Sequence, residues 1–153
     1  MFARICQWLE EEQVAFRSLH HEPTFTSEES AKVRGEPLEV GGKALLLKID
    51  ETFRLFVLSA HLKLHSSALK KHFRAKKLRF ATKEELMEKT GLLPGSVPPF
   101  GEPILPFELY VDESVLANDR IAFNAGSLTD SIILDIAAYQ RLAQPQVLAF
   151  SKS

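Results

Sequence analysis

Apolar positions along the chain switch repeatedly between a helical and a strand-like period, and the switches mark out the elements. Phe2, Ile5 and Leu9 recur at helical spacing, Gln13 continues that face and Glu10–Glu12 turn outward, which predicts a helix over residues 2–14. Phe16–His20 alternates as a strand does. Thr26 with Glu29 has the form of a capping box and opens a short helix through Arg34. Gly41-Gly42 breaks the chain before the apolar run Ala44–Ile49, and Asp50-Glu51 makes a hairpin turn into Phe53–Ser59. Residues 66–73 read as a helix and Leu78–Ala81 as a short strand. Thr82 with Glu85 is a second capping box, for a helix ending at Gly91. Leu105–Val111, Arg120–Phe123 and Ser131–Leu134 read as strands, Asp135 caps a helix through Leu142, and Gln146–Phe150 closes the chain as a strand. With helices interspersed among strands joined by tight turns, a mixed α/β (α+β) domain is expected, its sheet largely antiparallel and flanked by helices.

Length and composition narrow this further. A chain of 153 residues, 45% hydrophobic and 25% charged, fits one domain over residues 1–153 with a core of its own. Cys6 stands alone, so neither a disulfide framework nor a thiolate metal cluster is expected within the chain. The N-terminal residues show no signal-peptide core, and apolar runs such as Ala44–Leu47 are too short to span a bilayer. The expected setting is the cytoplasm, with no membrane partner. No dinucleotide or phosphate-loop motif occurs, Ser59, Ser66 and Ser67 lack a nucleophile-elbow context, and the carboxylates fall on helix surfaces and caps. No cofactor and no metal are expected. His20-His21 could serve as a base or ligand pair, but no partner stands at metal spacing, and a structural imidazole is the expected reading.

Three features carry candidate chemistry. Lys43 opens a strand just after two glycines, where it projects either into a cleft or simply into water. Gly95-Ser96-Val97-Pro98-Pro99-Phe100-Gly101 is a stiff loop inside a Gly91–Pro106 segment that holds five of the eight prolines. Its amides can converge on a water or an oxyanion without a side-chain nucleophile, or the loop is a structural turn. Phe123-Asn124-Ala125-Gly126-Ser127 ends a strand with small and polar residues, suited to a pocket or to a tight turn with an Asx-type bond.

The formal net charge of −1 hides a segregation. Residues 52–83 hold Arg54, Lys63, Lys70, Lys71, Arg74, Lys76, Lys77, Arg79 and Lys83 and no acid, leaving ten basic residues against twenty acids elsewhere. A block of this kind suits a phosphate backbone, although a solvated basic face gives the same pattern. Lys63, Lys70, Lys71, Arg74, Lys76, Lys77 and Arg79 are the candidate nucleic-acid contacts.

Taken together and in this order, the motifs resemble the freestanding aminoacyl-tRNA deacylases of the YbaK/ProX type, related to the editing domain of bacterial prolyl-tRNA synthetases. His21-Glu-Pro-Thr-Phe-Thr-Ser-Glu-Glu29 is similar to the family's His-x-Pro-x-x-Thr-x-Glu-Glu segment, Lys43-Ala-Leu-Leu-Leu to its lysine-plus-apolar strand, and Ile121–Ser127 to its late strand and turn. Gly91-Leu-Leu-Pro-Gly-Ser-Val-Pro-Pro-Phe-Gly101 is the most specific match, to the family's Gly-x-x-x-Pro loop. The resemblance implies a trans-acting hydrolase that cleaves the ester between a wrong amino acid and its tRNA, in translation quality control. It places Lys43 near the terminal adenosine and the loop from Gly95 to Gly101 around the scissile carbonyl. It sets His21, Asn124, Ala125, Gly126 and Ser127 at the substrate. Several members carry a His in the late segment and an Asn after the lysine, where this chain has Phe123-Asn124-Ala125-Gly126 and Ala44. A small amino acid such as serine, threonine or alanine is the expected substrate moiety, with Asn124 and Ser127 favouring a hydroxylated one.

The partners implied are the acceptor end of a mischarged tRNA and a synthetase or elongation factor that delivers it. Two other readings stand beside this one. A catalytically silent tRNA- or synthetase-binding module would bind tRNA without ester cleavage. A hydrolase of small non-tRNA esters or amides would survive neutralisation of Lys70, Lys71, Arg74, Lys76 and Lys77.

Overall fold

The computed structural model describes residues 1–153. In chain order the elements are α1 (Phe2–Glu11), β1 (Phe16–His20), α2 (Ser27–Arg34), a 3-10 turn Leu38–Val40, β2 (Gly42–Ile49), β3 (Thr52–Ser59), β4 (Lys63–Leu64) and α3 (Ser66–Phe73). There follow β5 (Leu78–Phe80), α4 (Lys83–Thr90), β6 (Leu109–Asp112), α5 (Glu113–Leu116), β7 (Arg120–Asn124), β8 (Asp130–Asp135), α6 (Ile136–Ala143), β9 (Gln146–Leu148) and β10 (Ser151–Lys152).

The hairpin β2–β3 is the spine of a five-stranded sheet ordered β5-β2-β3-β6-β9. β5 joins antiparallel, whereas β3–β6 and β6–β9 are parallel. A second sheet, β1-β8-β7, is wholly antiparallel, and β4 pairs with β10. The fold is thus mixed and mostly antiparallel, as expected. One parallel bridge, Gly41 to Ala122, ties the two main sheets together.

The larger core fills the space between the sheets and beneath the helices: Ile5 and Leu9 of α1, Leu46, Leu55 and Val57 of the spine, Ile121, Phe123, Ile132 and Leu134, and Tyr139 of α6. A smaller core lies on the other face of the five-stranded sheet, where Leu47, Ile49, Phe56 and Leu58 meet Leu69 of α3 and Phe150. The period-2 geometry of β2 places Lys43 on the same face as Leu45, Leu47 and Ile49. The lysine therefore emerges where that second core runs out, on the side covered by α3.

Several boundaries differ from the sequence pattern. The first helix stops at Glu11, because Gln13 turns with φ at +58°. The strand expected over 105–111 begins only at Leu109, since Ile104 and Leu105 both donate their amides to Gly101 in a turn. The closing strand stops at Leu148, and a separate two-residue strand, Ser151–Lys152, follows. At α2 the Thr26 hydroxyl accepts the Glu29 amide, yet Glu29 reaches back to the amide of Phe25, one residue outside a true capping box. The box at Thr82 and Glu85 is complete. No helix is long and apolar enough to cross a membrane.

Candidate active site

Helix α2 is built inside out. Its sequence Ser-Glu-Glu-Ser-Ala-Lys-Val-Arg has no apolar face, and its single valine, Val33, is 42% exposed. The buried residues are polar: Ser30 and Arg34, four apart and so stacked on one side of the helix. A helix that hides serine and arginine while showing valine to water faces something other than a core.

It faces a cleft of about 250 Å³. One wall is the start of β2, from Gly41 to Leu45, with Ala60 just beyond the paired strand β3. The segment Thr24–Ser27 with Ser30 and Arg34 makes the second, and Asn124 and Leu128 with Pro94, Gly95 and Val97 make the third. Lys43 and Gly95 thus line one cleft, together with Asn124 at the end of β7. Lys43 is half-buried, and its side chain makes no ion pair or hydrogen bond. Burial pulls its ammonium below the ordinary lysine value; Glu28 opposes this and Lys63 adds to it.

Arg34 is 8% exposed and has only neutral acceptors: Nε donates to Ser131 Oγ at 2.9 Å and Nη2 to Asn124 Oδ1 at 2.9 Å. Burial lowers its guanidinium to about 10, with Glu36 pulling the other way. Asn124 passes the constraint on, because its Nδ2 donates to the Gly95 carbonyl at 2.8 Å. The arginine therefore fixes which way the Asn124 amide points, and the amide in turn holds the loop. The amides of Gly95 and Val97 make no hydrogen bond within the chain.

The rest of the loop turns away from the cleft. Ser96 is buried and its hydroxyl donates to the Leu93 carbonyl at 2.8 Å. Pro98, Pro99, Phe100 and Gly101 are buried, and the two prolines bring no N–H that would need a partner there. Phe100 stacks edge-on against Trp8 and Phe123, with centroids at 5.1 Å and 5.4 Å, while Tyr139 donates to the Pro99 carbonyl. These residues anchor the loop, and Gly95 and the buried Val97 are the parts of it that line the cleft.

The late segment divides in the same way. Ala125 is fully buried, Gly126 has φ at +76° with Met1 packed against it, and Ser127 bonds to Thr129 at 2.9 Å. None of the three lines the cleft. His21 stands behind the wall, with Nε2 at 2.8 Å from Ser131 Oγ. Thr24, Phe25, Ser30 and Arg34 were absent from the sequence-based candidates. For Ser30 and Arg34 the available signal was a short helix without an apolar face, whereas Thr24 and Phe25 lie inside the His21–Glu29 segment.

The exposed cations of the basic segment start at this site. Strand β3 ends opposite Gly42, so Ala60 and Lys63 lie at the cleft end of the hairpin. From there α3 runs back toward the hairpin tip, where Asp50 Oδ1 accepts the amides of Lys76 and Lys77, each at 3.0 Å. Lys63, Lys70, Lys71, Arg74, Lys76 and Lys77 are exposed and form no ion pair. Arg79 differs, because both its terminal nitrogens bond to the Glu85 carboxylate, at 2.7 Å and 3.0 Å.

The family model for an aminoacyl-tRNA editing domain matches residues 21–142, the span that holds every cleft residue. The chain belongs to this family. Among its relatives is the multifunctional Ser/Thr-tRNA deacylase ProXp-y of Escherichia coli K12, 34% identical over 98% of this chain and 92% of that protein. The proline–tRNA ligase of Shouchella clausii is 32% identical over 65% of this chain, which corresponds to 17% of the ligase. In three dimensions, a crystal structure described as a candidate trans-editing enzyme for prolyl-tRNA synthetase superposes with a TM-score of 0.84. It covers 99% of this chain at 24% identity, a likeness of fold alone. The editing-domain fold here carries its cleft at the seam between the two main sheets.

Proposed function

We propose that the protein is a trans-acting aminoacyl-tRNA deacylase, which hydrolyses the ester joining a small amino acid to the 3′-terminal adenosine of a mischarged tRNA. The reading rests on one observation above all: Lys43, Gly95 and Val97 line a single small cleft within the editing-domain match, and the amides of Gly95 and Val97 have no partner within the chain. Water attacks the ester carbonyl carbon, the bond to the ribose oxygen breaks, and the proton released by the water passes to that oxygen. The products are the free amino acid and the tRNA with its ribose hydroxyl restored. The ester is already activated, so positioning and charge stabilisation suffice. The Gly95 and Val97 amides receive the developing oxyanion, a neighbouring ribose hydroxyl relays the proton, and Lys43 orients the terminal adenosine.

A cleft of about 250 Å³ fits an aminoacyl group better than a nucleotide chain. The rest of the acceptor end lies along the basic segment, from Lys63 over α3 to Lys76 and Lys77. Phe25, 76% exposed at the cleft rim, offers a face on which a base stacks. The setting of this reaction is the cytoplasm, with a synthetase or elongation factor supplying the charged tRNA.

The test is a deacylation panel of seryl-, threonyl- and alanyl-tRNA under single-turnover conditions, wild type beside Lys43→Ala. Cleavage of at least one substrate by the wild type is expected. The variant, with an unchanged melting curve, should be slower by roughly a hundredfold or more. A wild type inert on the whole panel while still binding tRNA in a salt-sensitive way would establish a silent binding module instead.

A further inference from the structure

The second wall of the cleft holds a pair of hydroxyls that nothing else in the chain uses. Thr24 is 3% exposed and Ser30 6% exposed, both line the cleft, and their oxygens are 2.8 Å apart. Thr24 comes from the segment before α2, and Ser30 from the inward side of α2, one turn ahead of Arg34. Their mutual bond consumes one of the two hydroxyl protons. The other proton finds no acceptor among the protein atoms, and lone pairs stay free on both oxygens. A buried hydroxyl proton left without an acceptor is unfavourable, so a pair of this kind calls for a polar group to complete it.

We propose that Thr24 and Ser30 form the subsite for the side-chain hydroxyl of the amino acid, and so set the preference for seryl and threonyl over alanyl esters. The inference rests on the deacylase reading and assigns its specificity to residues outside the late segment. The chemistry matches on both counts. The pair offers one donor and open acceptor positions, and an alcohol is at once a donor and an acceptor. A methyl group satisfies neither, so an alanyl ester gives the pair no partner on the substrate. Sites that hydrogen-bond a substrate hydroxyl discriminate against the analogue lacking it far more sharply than sites that only sense its volume. Arg34 keeps the neighbouring wall polar, with Ser131 and Asn124 as its acceptors.

The experiment compares seryl- and alanyl-tRNA cleavage by wild type, Thr24→Val, Ser30→Ala and Thr24→Ser. Thr24→Val keeps the side-chain shape and removes the hydroxyl, and Thr24→Ser keeps the hydroxyl. The ratio of seryl to alanyl cleavage should fall by about tenfold or more in Thr24→Val and Ser30→Ala, and stay within threefold of wild type in Thr24→Ser. An unchanged ratio in Thr24→Val and Ser30→Ala overturns the proposal, as does an equal loss on both substrates. A second readout does not depend on turnover: calorimetric binding of the seryl and alanyl amides of 3′-amino-3′-deoxyadenosine. The serine-over-alanine preference in binding should fall with the same variants, and its persistence would overturn the subsite. A wild type that binds these amides but cleaves neither ester would sink the deacylase reading, while the binding ratio still judges the subsite.

Discussion

Arg34 carries a full charge into the protein and meets no carboxylate there. The acid whose charge reaches it, Glu36, is taken up by Arg120, at 2.6 Å and 2.8 Å. A guanidinium can donate in two fixed directions, to Ser131 and to Asn124, while an ammonium on a flexible stem cannot hold both. Arg34→Lys should therefore cost about 1–3 kcal/mol of stability, read as a lower melting temperature. It should also slow single-turnover cleavage, because Asn124 no longer fixes the Gly95 carbonyl. A lysine variant that melts and reacts like wild type would show that the arginine positions nothing. The same residue explains a limit of sequence reading. Asn124 stands out through its motif, but Arg34 at the end of a polar helix looks like any solvated arginine until the fold turns that side inward.

Among the elements, the connection between β9 and β10 is tied to the end of β6 by one carboxylate. Asp112, at the end of β6, is fully buried and has no cation partner. It accepts from the Ser114 amide, the Phe150 amide and the Ser151 hydroxyl, at 3.0, 2.6 and 2.7 Å. Burial pushes its pKa up, and these hydrogen bonds outweigh burial to hold it below the usual carboxylate range. A depressed folded-state pKa gives stability that is complete above about pH 4 and is lost as the pH falls through the folded value. Asp112→Asn should be less stable at neutral pH by on the order of 2 kcal/mol, and its stability should depend less steeply on acid below about pH 4. Denaturant titrations of both proteins between neutral and acid pH check this. Elements with strong local signals, such as the Thr82 box and the Phe16–His20 alternation, were legible in the sequence. The short β4, α5 and β10 were not, since two to four residues carry no period and depend on partners such as Asp112 that are distant in the chain.

For the whole molecule, segregated charge is the feature that reading residue by residue exposed and the net value concealed. The exposed cations run from the cleft end of the hairpin, along about 12 Å of α3, to the hairpin tip. Converting Lys70, Lys71, Arg74, Lys76 and Lys77 to glutamine should weaken tRNA binding and flatten its dependence on salt. The slope should fall by roughly 0.7–0.9 for each phosphate contact removed, with little effect on the cleavage rate at saturating protein. Arg79→Gln should leave the salt slope as it is, because Glu85 already holds that charge. Titrations of tRNA binding across a salt series separate the two cases.

The walls of the cleft belong to different sheets, and their separation has a gauge. At the seam, a methyl group on Gly42 would lie 2.6 Å from Ile121 Cδ1, on the core side of the cleft wall. The width of the gap is therefore set by a bare backbone resting on one isoleucine. A methyl gained at position 42 or lost at position 121 would retune how the reacting groups face one another while leaving every one of them in place. The opening can thus be respaced from its core side, through Ile121, a buried residue that does not line it.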